Sequence, residues 1–358
     1  MKHFAILPIL FFAACDSEPS KTSKIVGSKE SSGPGSRDGM IFIPGGTVLR
    51  GHDGDFATES GPKSFPEEKP AHEVMVDSFW IDQFEVTNDQ FAAFVAATGY
   101  VTFAERIVKA EDFPAAAQAS LPGKEFPNGA IVFVPQSGTE GNPNMPGKYL
   151  NWWSWKSEAN WRSPMGAGSD IEGKGDHPVV CITYEDASSY AEWAGKRLPT
   201  EAEWEFAARG GLVGKIYTWG DEPKPPGASL ANIWQGDFPN RNSAEDGYEF
   251  TAPVGTFPAN GYGLHDMAGN VWEICSDYYD PGYYTKGETD NPKGPEVWVN
   301  RDTGERGGGL VHRIMKGGSF LCHESYCLRY RPAARQSQDT ESPTNHIGFR
   351  CVRDHEEG

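Results

Sequence analysis

Glycine and proline cut this chain into short pieces. With 42 glycines and 27 prolines in 358 residues, few stretches are long enough for extended helices or a wide regular sheet. Glycine costs backbone entropy inside either element, and proline lacks the N–H that both need. Three amphipathic helices still fit. Thr87 caps one that carries Phe91, Phe94 and Val95 on one face and stops at Gly99. Thr183 caps a second, with Ala187, Tyr190, Ala191 and Ala194 facing inward and Gly195 at its end. Thr200, followed three residues later by Glu203, is a capping-box signature for a third, which ends at Gly210-Gly211. Alternation at Met40–Pro44, Glu73–Val76, Val179–Thr183 and Gly348–Val352 predicts short strands. The expected class is α+β with much irregular backbone. Its core is supplied by 11 Trp, 13 Tyr and 20 Phe.

The ends read differently from the middle. Lys2 and His3 precede an apolar run from Phe4 to Ala14, shorter than the roughly 20 residues that span a bilayer. A basic start, a short apolar stretch and small residues before a cysteine describe an export signal. Residues 1–15 are therefore expected to be a lipoprotein-type signal cleaved before Cys15, giving an exported, periplasmic or cell-surface protein held to the membrane by a lipid there. Residues 16–39, rich in Ser, Lys, Gly and Pro, suit a flexible tether. Residues 40–354 are well mixed, without a second linker or repeat, and read as one domain and a monomer. A net charge of −18 argues against nucleic-acid binding, because phosphate contacts need a basic face.

Only six cysteines occur, yet Cys322 and Cys327 stand five positions apart in Lys316-Gly317-Gly318-Ser319-Phe320-Leu321-Cys322-His323-Glu324-Ser325-Tyr326-Cys327. Two close thiols in an exported chain can form a disulfide, bind a soft metal or pass electrons. Spacing alone favours a plain disulfide. A zinc site is disfavoured, since Cys181, Cys275 and Cys351 have no finger-like spacing.

The surrounding residues carry a resemblance. Gly317-Gly318-Ser319, the Cys322–Cys327 segment, Arg329-Tyr330-Arg331, Ala333-Ala334-Arg335 and Gly348-Phe349-Arg350-Cys351 resemble the formylglycine-generating enzymes, the sulfatase-modifying oxidases. The likeness extends through Glu85-Val86-Thr87-Asn88, Ala159-Asn160-Trp161-Arg162, Arg197-Leu198-Pro199-Thr200-Glu201 and Asn260-Gly261-Tyr262-Gly263-Leu264. It implies a single irregular fold of that family, a variant of the C-type-lectin type. It also implies that Cys322 and Cys327 bind copper(I), a soft ion that prefers thiolates. The client would be an unfolded or nascent sulfatase with a Cys-x-Pro-x-Arg segment, whose cysteine is oxidised by dioxygen to Cα-formylglycine. Ser319 matches an active-site serine. Tyr326, Trp272, Arg335, Trp152 and Trp153 match residues that line the family's pocket. Arg329, Arg331 and Arg335 are candidates to ease thiol ionisation.

The resemblance also implies two structural calcium sites. One uses the Asn232 and Asp246 side chains with the carbonyls of Ile233 and Tyr248. The other uses Asp266 and Glu273 with the carbonyls of Gly269 and Val271. Mixed carboxylate, amide and carbonyl oxygens suit a hard cation. The chain departs from animal members at Ala191, Ala208 and Pro332, where those carry cysteines, so Cys181 becomes a candidate partner for Cys351. Residues 107–147, expected to form part of the peptide groove, match nothing in the pattern, which leaves substrate range open. A modifier of another thiol peptide, and a non-catalytic ligand-binding or scaffolding lipoprotein on the same fold, are the competing readings. A non-haem iron enzyme is disfavoured because the nine histidines form no grouped triad.

Overall fold

The computed structural model describes residues 37–58, 61–112, 118, 121–135, 152–224 and 229–355. The export signal, Cys15 and most of the tether lie outside those residues, as does much of 107–147. The three helices form where their caps stand. Helix α1 (Asn88–Thr98) has the Thr87 hydroxyl accepting from the Gln90 amide and the Gln90 side chain accepting from the Thr87 amide, and ends on Gly99 at φ 69°. Helix α2 (Tyr184–Trp193) repeats the box with Thr183 and Asp186, and α3 (Glu201–Arg209) with Thr200 and Glu203. These reciprocal bonds satisfy amides that a helix start leaves unpaired. The inward faces of α1 and α2 meet through Phe91, Phe94 and Tyr190, with Trp161 and Phe349 closing the aromatic cluster.

Two small sheets flank this core. One has Phe79–Asp82 at its centre, antiparallel to Met40–Ile43 on one side and Val352–Asp354 on the other. The second runs in the order Gln336–Asp339, His312–Lys316, Trp272–Tyr278, Ile347–Gly348, and only its last pairing is parallel. The strand expected at Gly348–Val352 is therefore split. Residues 347–348 join one sheet and 352–354 the other, because Arg350 between them is buried on Glu273, with Nε–Oε2 at 2.6 Å and Nη2–Oε1 at 2.7 Å. The strand expected at Val179–Thr183 does not form. Its amides go singly to different segments, Val179 to the Val86 carbonyl and Cys181 to that of Thr344, and Cys181 adopts φ 57°. The apolar run there marks burial, not a ladder.

Helix α3 turns two carboxylates into the interior. Glu201 meets Arg50 at 2.6 Å and Arg335 at 2.7 Å, while Glu205 meets Arg209 at 2.6 Å and Lys316 at 3.2 Å. All five of the residues Arg50, Glu201, Glu205, Arg335 and Lys316 are fully buried. Burial alone would raise the Glu201 carboxyl. Arg335, Arg50 and Lys316 overcome it and hold that group well below the usual range. Asp277 makes no ion pair among the described residues, and the more distant charge of Arg50 favours its ionised form. Its Oδ2 accepts from the Glu201 amide, and burial, then repulsion from Glu201, pushes it up to about 7.

A pH signature follows from Asp277. An unfolded aspartate ionises near pH 4. Between there and about 7 the folded state keeps a proton that the unfolded state has lost. Its contribution is full at low pH and is lost as pH rises through that window, by up to about 1.4 kcal/mol per pH unit. Asp277→Asn removes this term. Urea midpoints of the variant relative to the wild type are expected to improve from pH 5 to pH 8, and a pH-independent difference contradicts the assignment.

Candidate active site

The thiol segment sits where the second sheet ends. Beyond Lys316 the chain passes through Gly317 and Gly318 at φ 89° and 74°. A side chain on Gly318 would come within 3.0 Å of the Tyr330 backbone, so the tight turn requires glycine. Ser319 is fully buried. Its hydroxyl accepts from the Leu321 amide at 3.3 Å and its carbonyl from the Cys322 amide at 2.8 Å. Cys322 is buried among core side chains and its carbonyl accepts from the Trp234 amide at 3.1 Å. The amides of Tyr326, Cys327 and Leu328 all converge on the His323 carbonyl. This turn brings the two cysteines to a Cα separation of 5.4 Å, and they are joined as a disulfide. The arrangement differs from the reduced pair expected from the resemblance. The same short turn that suits a metal clamp also places both sulfurs within bonding reach.

The aromatic residues expected in the pocket divide into two groups. Tyr326 stacks on Phe238 at 4.7 Å and meets the edge of Trp152 at 5.8 Å; Trp153 packs nearby against Phe133 and His346. Trp272 is buried in the same apolar cluster as Cys322. Beside the turn lies a cleft of about 410 Å³ whose walls include Trp219, Trp234, His323, Glu324 and Tyr330. A larger cleft of about 860 Å³ runs between α2 and the start of α3; neither Cys322 nor Cys327 lines either cleft, but His323 and Glu324 of the turn line the smaller one. Lys196 and Arg197 of the larger cleft are engaged by Asp82, Glu203 and Asp354.

Arg335 belongs elsewhere. It is buried in the α3 ion cluster, so its guanidinium serves Glu201 and not the pocket. Arg329 and Arg331, expected to favour ionised thiols, are matched by Glu67 at 2.7 Å and by both oxygens of Glu68. Each arginine's charge is compensated by a carboxylate. Lys63, which sequence reasoning missed, reaches the segment instead. Its ammonium donates to the carbonyls of Ser325 and Tyr326 at 3.0 and 2.9 Å. Nothing in the sequence marked it, because its partners are backbone atoms more than 200 residues away.

Once reduced, the two sulfurs carried on one turn would be a donor set that fits copper(I). A low-coordinate soft ion needs no third protein ligand. For the first calcium site, the Ile233 carbonyl and Asp246 Oδ2 both accept from one Gln235 nitrogen, at 2.6 and 2.7 Å, and buried Asn232 Oδ1 has no partner. These oxygens fit a hard cation. The Tyr248 carbonyl instead faces the Asn242 amide at 3.5 Å.

In the second site, Asp266 Oδ1 is likewise buried and unpartnered, while Glu273 is taken by Arg350 and by the Trp204 indole at 2.7 Å. Glu85, not singled out from sequence, has no hydrogen bond to Oε2, which lies 4.0 Å from Arg350 Nη2; burial and then the Asp266 charge push its carboxyl well up. Gly269 is needed there because a side chain would collide with the Asn232 carbonyl at 2.2 Å. Cys181, Cys275 and Cys351 are buried free thiols. The Cys181–Cys351 pairing is thus not made: Cys181 points its Sγ at the Pro164 carbonyl, and the Cys351 amide donates to Asp82.

The profile of the sulfatase-modifying factor enzyme 1-like domain matches residues 27–355. The chain belongs to that family. Among its relatives, a formylglycine-generating enzyme of Streptomyces coelicolor is 46% identical over 321 residues, covering 90% of this chain and 91% of the relative. A formylglycine-generating enzyme of Bos taurus is 40% identical, covering 92% and 80%. The protein named inactive C-alpha-formylglycine-generating enzyme 2 of Mus musculus is 35% identical, covering 87% and 85%. The fold is shared with PvdO from Pseudomonas aeruginosa, at a TM-score of 0.56 and 24% identity over 88% of this chain and 94% of that one. The sulfatase-modifying factor family therefore accounts for the α+β architecture with little regular secondary structure.

Proposed function

We propose that this protein converts a cysteine of a sulfatase polypeptide into Cα-formylglycine, with dioxygen as oxidant and copper(I) held by Cys322 and Cys327. One observation carries the reading: two cysteines brought together by one turn beside an aromatic-walled cleft, in a chain 46% identical to an enzyme named for this reaction. Reduction of the pair frees both sulfurs as metal ligands. Bound there, copper(I) would supply affinity for the client thiol and the means to activate oxygen. The chain's own residues do the rest. Ser319 fixes the start of the turn through its carbonyl, and Tyr326 holds the turn by stacking on Phe238. Trp219, Trp234 and Tyr330 offer the client apolar surface that excludes water. An exported, lipid-anchored location through Cys15 would place the enzyme with exported sulfatases.

The test is direct. Reduced protein loaded with copper(I) should convert a Cys-x-Pro-x-Arg peptide under oxygen, read as a mass loss of about 18 Da as CH2–SH becomes CHO. Folded, loaded protein that leaves the peptide unchanged supports the second reading, a non-catalytic scaffold, which the 35% identity to the inactive mouse relative keeps specific.

Calcium is proposed as a structural ion at both oxygen clusters. Chelation should lower the thermal midpoint, and calcium restore it. An ion present at a hundredfold over its Kd stabilises by about 2.7 kcal/mol per site. An unchanged midpoint in a chelator removes the calcium proposal.

A further inference from the structure

The turn that carries Cys327 is tied to a distant hairpin by the ammonium of Lys63. Residues Phe56–Thr58 pair with Gly61–Lys63, and Lys63 ends that hairpin. Its Nζ donates to the Ser325 carbonyl at 3.0 Å and to the Tyr326 carbonyl at 2.9 Å. These are the last two carbonyls before Cys327. The adjoining chain continues the contact: Glu67 holds Arg329 and Glu68 holds Arg331. Those two ion pairs lie beyond Cys327. Cys322, by contrast, is seated in the core through its own neighbours Phe320 and Leu321, both buried. One cysteine is therefore fixed by the core, and the other stands on a turn whose backbone an outside cation grips.

We infer that Lys63 is a positioning residue of the thiol site, holding Cys327 at the place where it can close on Cys322 or share a ligand with it. A charge-assisted bond to a carbonyl is stronger than a neutral one, and here two act on successive peptides. Loss of the clamp frees rotations of the turn. The effective concentration of one thiol at the other falls accordingly. The inference concerns the same pair as the proposed reaction. Its test reads the pair's own equilibrium, so failure of peptide conversion and failure of the clamp are separate results.

The measurement is the exchange of the full-length protein with glutathione at about pH 6, below the ordinary thiol range. In it the Cys322–Cys327 bond forms while the bond of glutathione disulfide breaks. Two electrons pass from the protein dithiol to glutathione, whose two sulfurs leave carrying the protons. Cys181, Cys275 and Cys351 are buried and stay outside the exchange. Lys63→Met is expected to lower the equilibrium constant for closure about tenfold, equal to about 30 mV in the two-electron potential. Lys63→Arg, which keeps charge and donors, should recover most of it. Should Lys63→Met not fold, Lys63→Gln gives the same reading. A constant within about twofold of wild type in the neutral variant overturns the inference, as does an arginine variant no nearer to wild type than the neutral one.

Discussion

Replacing either Cys322 or Cys327 by serine is expected to remove peptide conversion, with turnover falling by roughly 10⁴-fold, the scale of losing a group that acts at the reacting centre. The fold should survive. The ring closed by the bond has a sequence separation of five, and chain entropy assigns such a short closure only about 2 kcal/mol. The turn also keeps its hydrogen bonds to Ser319 and His323 and its stacking on Phe238. Circular dichroism and the urea midpoint check the second statement, and the peptide assay checks the first. A serine variant that is folded and still active overturns the site assignment. One that is unfolded shows that the pair is a staple.

Glu201→Ala is expected to be the most damaging single change to stability. Glu201 lies within salt-bridge range of Arg50, Arg335 and Lys316, all without exposure to water. Its deletion leaves buried positive charge uncompensated, at a cost of about 3–5 kcal/mol. Because its folded carboxyl is held below the usual range, its stabilisation is present above about pH 4 and disappears as acid protonates it. Urea unfolding at neutral pH measures the loss. A change under 1 kcal/mol (well below the range above) would show that water or another acid replaces it.

The residues that were legible in the sequence are those whose partners lie close by. The capping threonines bond to groups three positions away, and residue type at that spacing is enough to read them. The thiol turn, too, is written in one short segment with its two glycines. Arg335 was not legible, since a guanidinium suits a pocket as well as a core, and its carboxylate is 134 positions distant. The same holds for Lys63 and for Glu85, whose roles depend on which remote atoms the fold brings to them. Val179–Thr183 misled for another reason. The consecutive apolar residues Val179-Val180-Cys181-Ile182 report burial on two sides, and here that burial comes from irregular chain whose amides find partners one at a time.

The split of residues 347–354 between two sheets has a mechanical consequence. One short strap supplies an edge strand to each sheet, and Arg350 in its middle is locked to Glu273 on the strand that leads toward the metal-candidate loops. Neither sheet can come apart along that edge without dragging on the other. The molecule should therefore melt as one cooperative unit, and a nick within the strap should release both layers together.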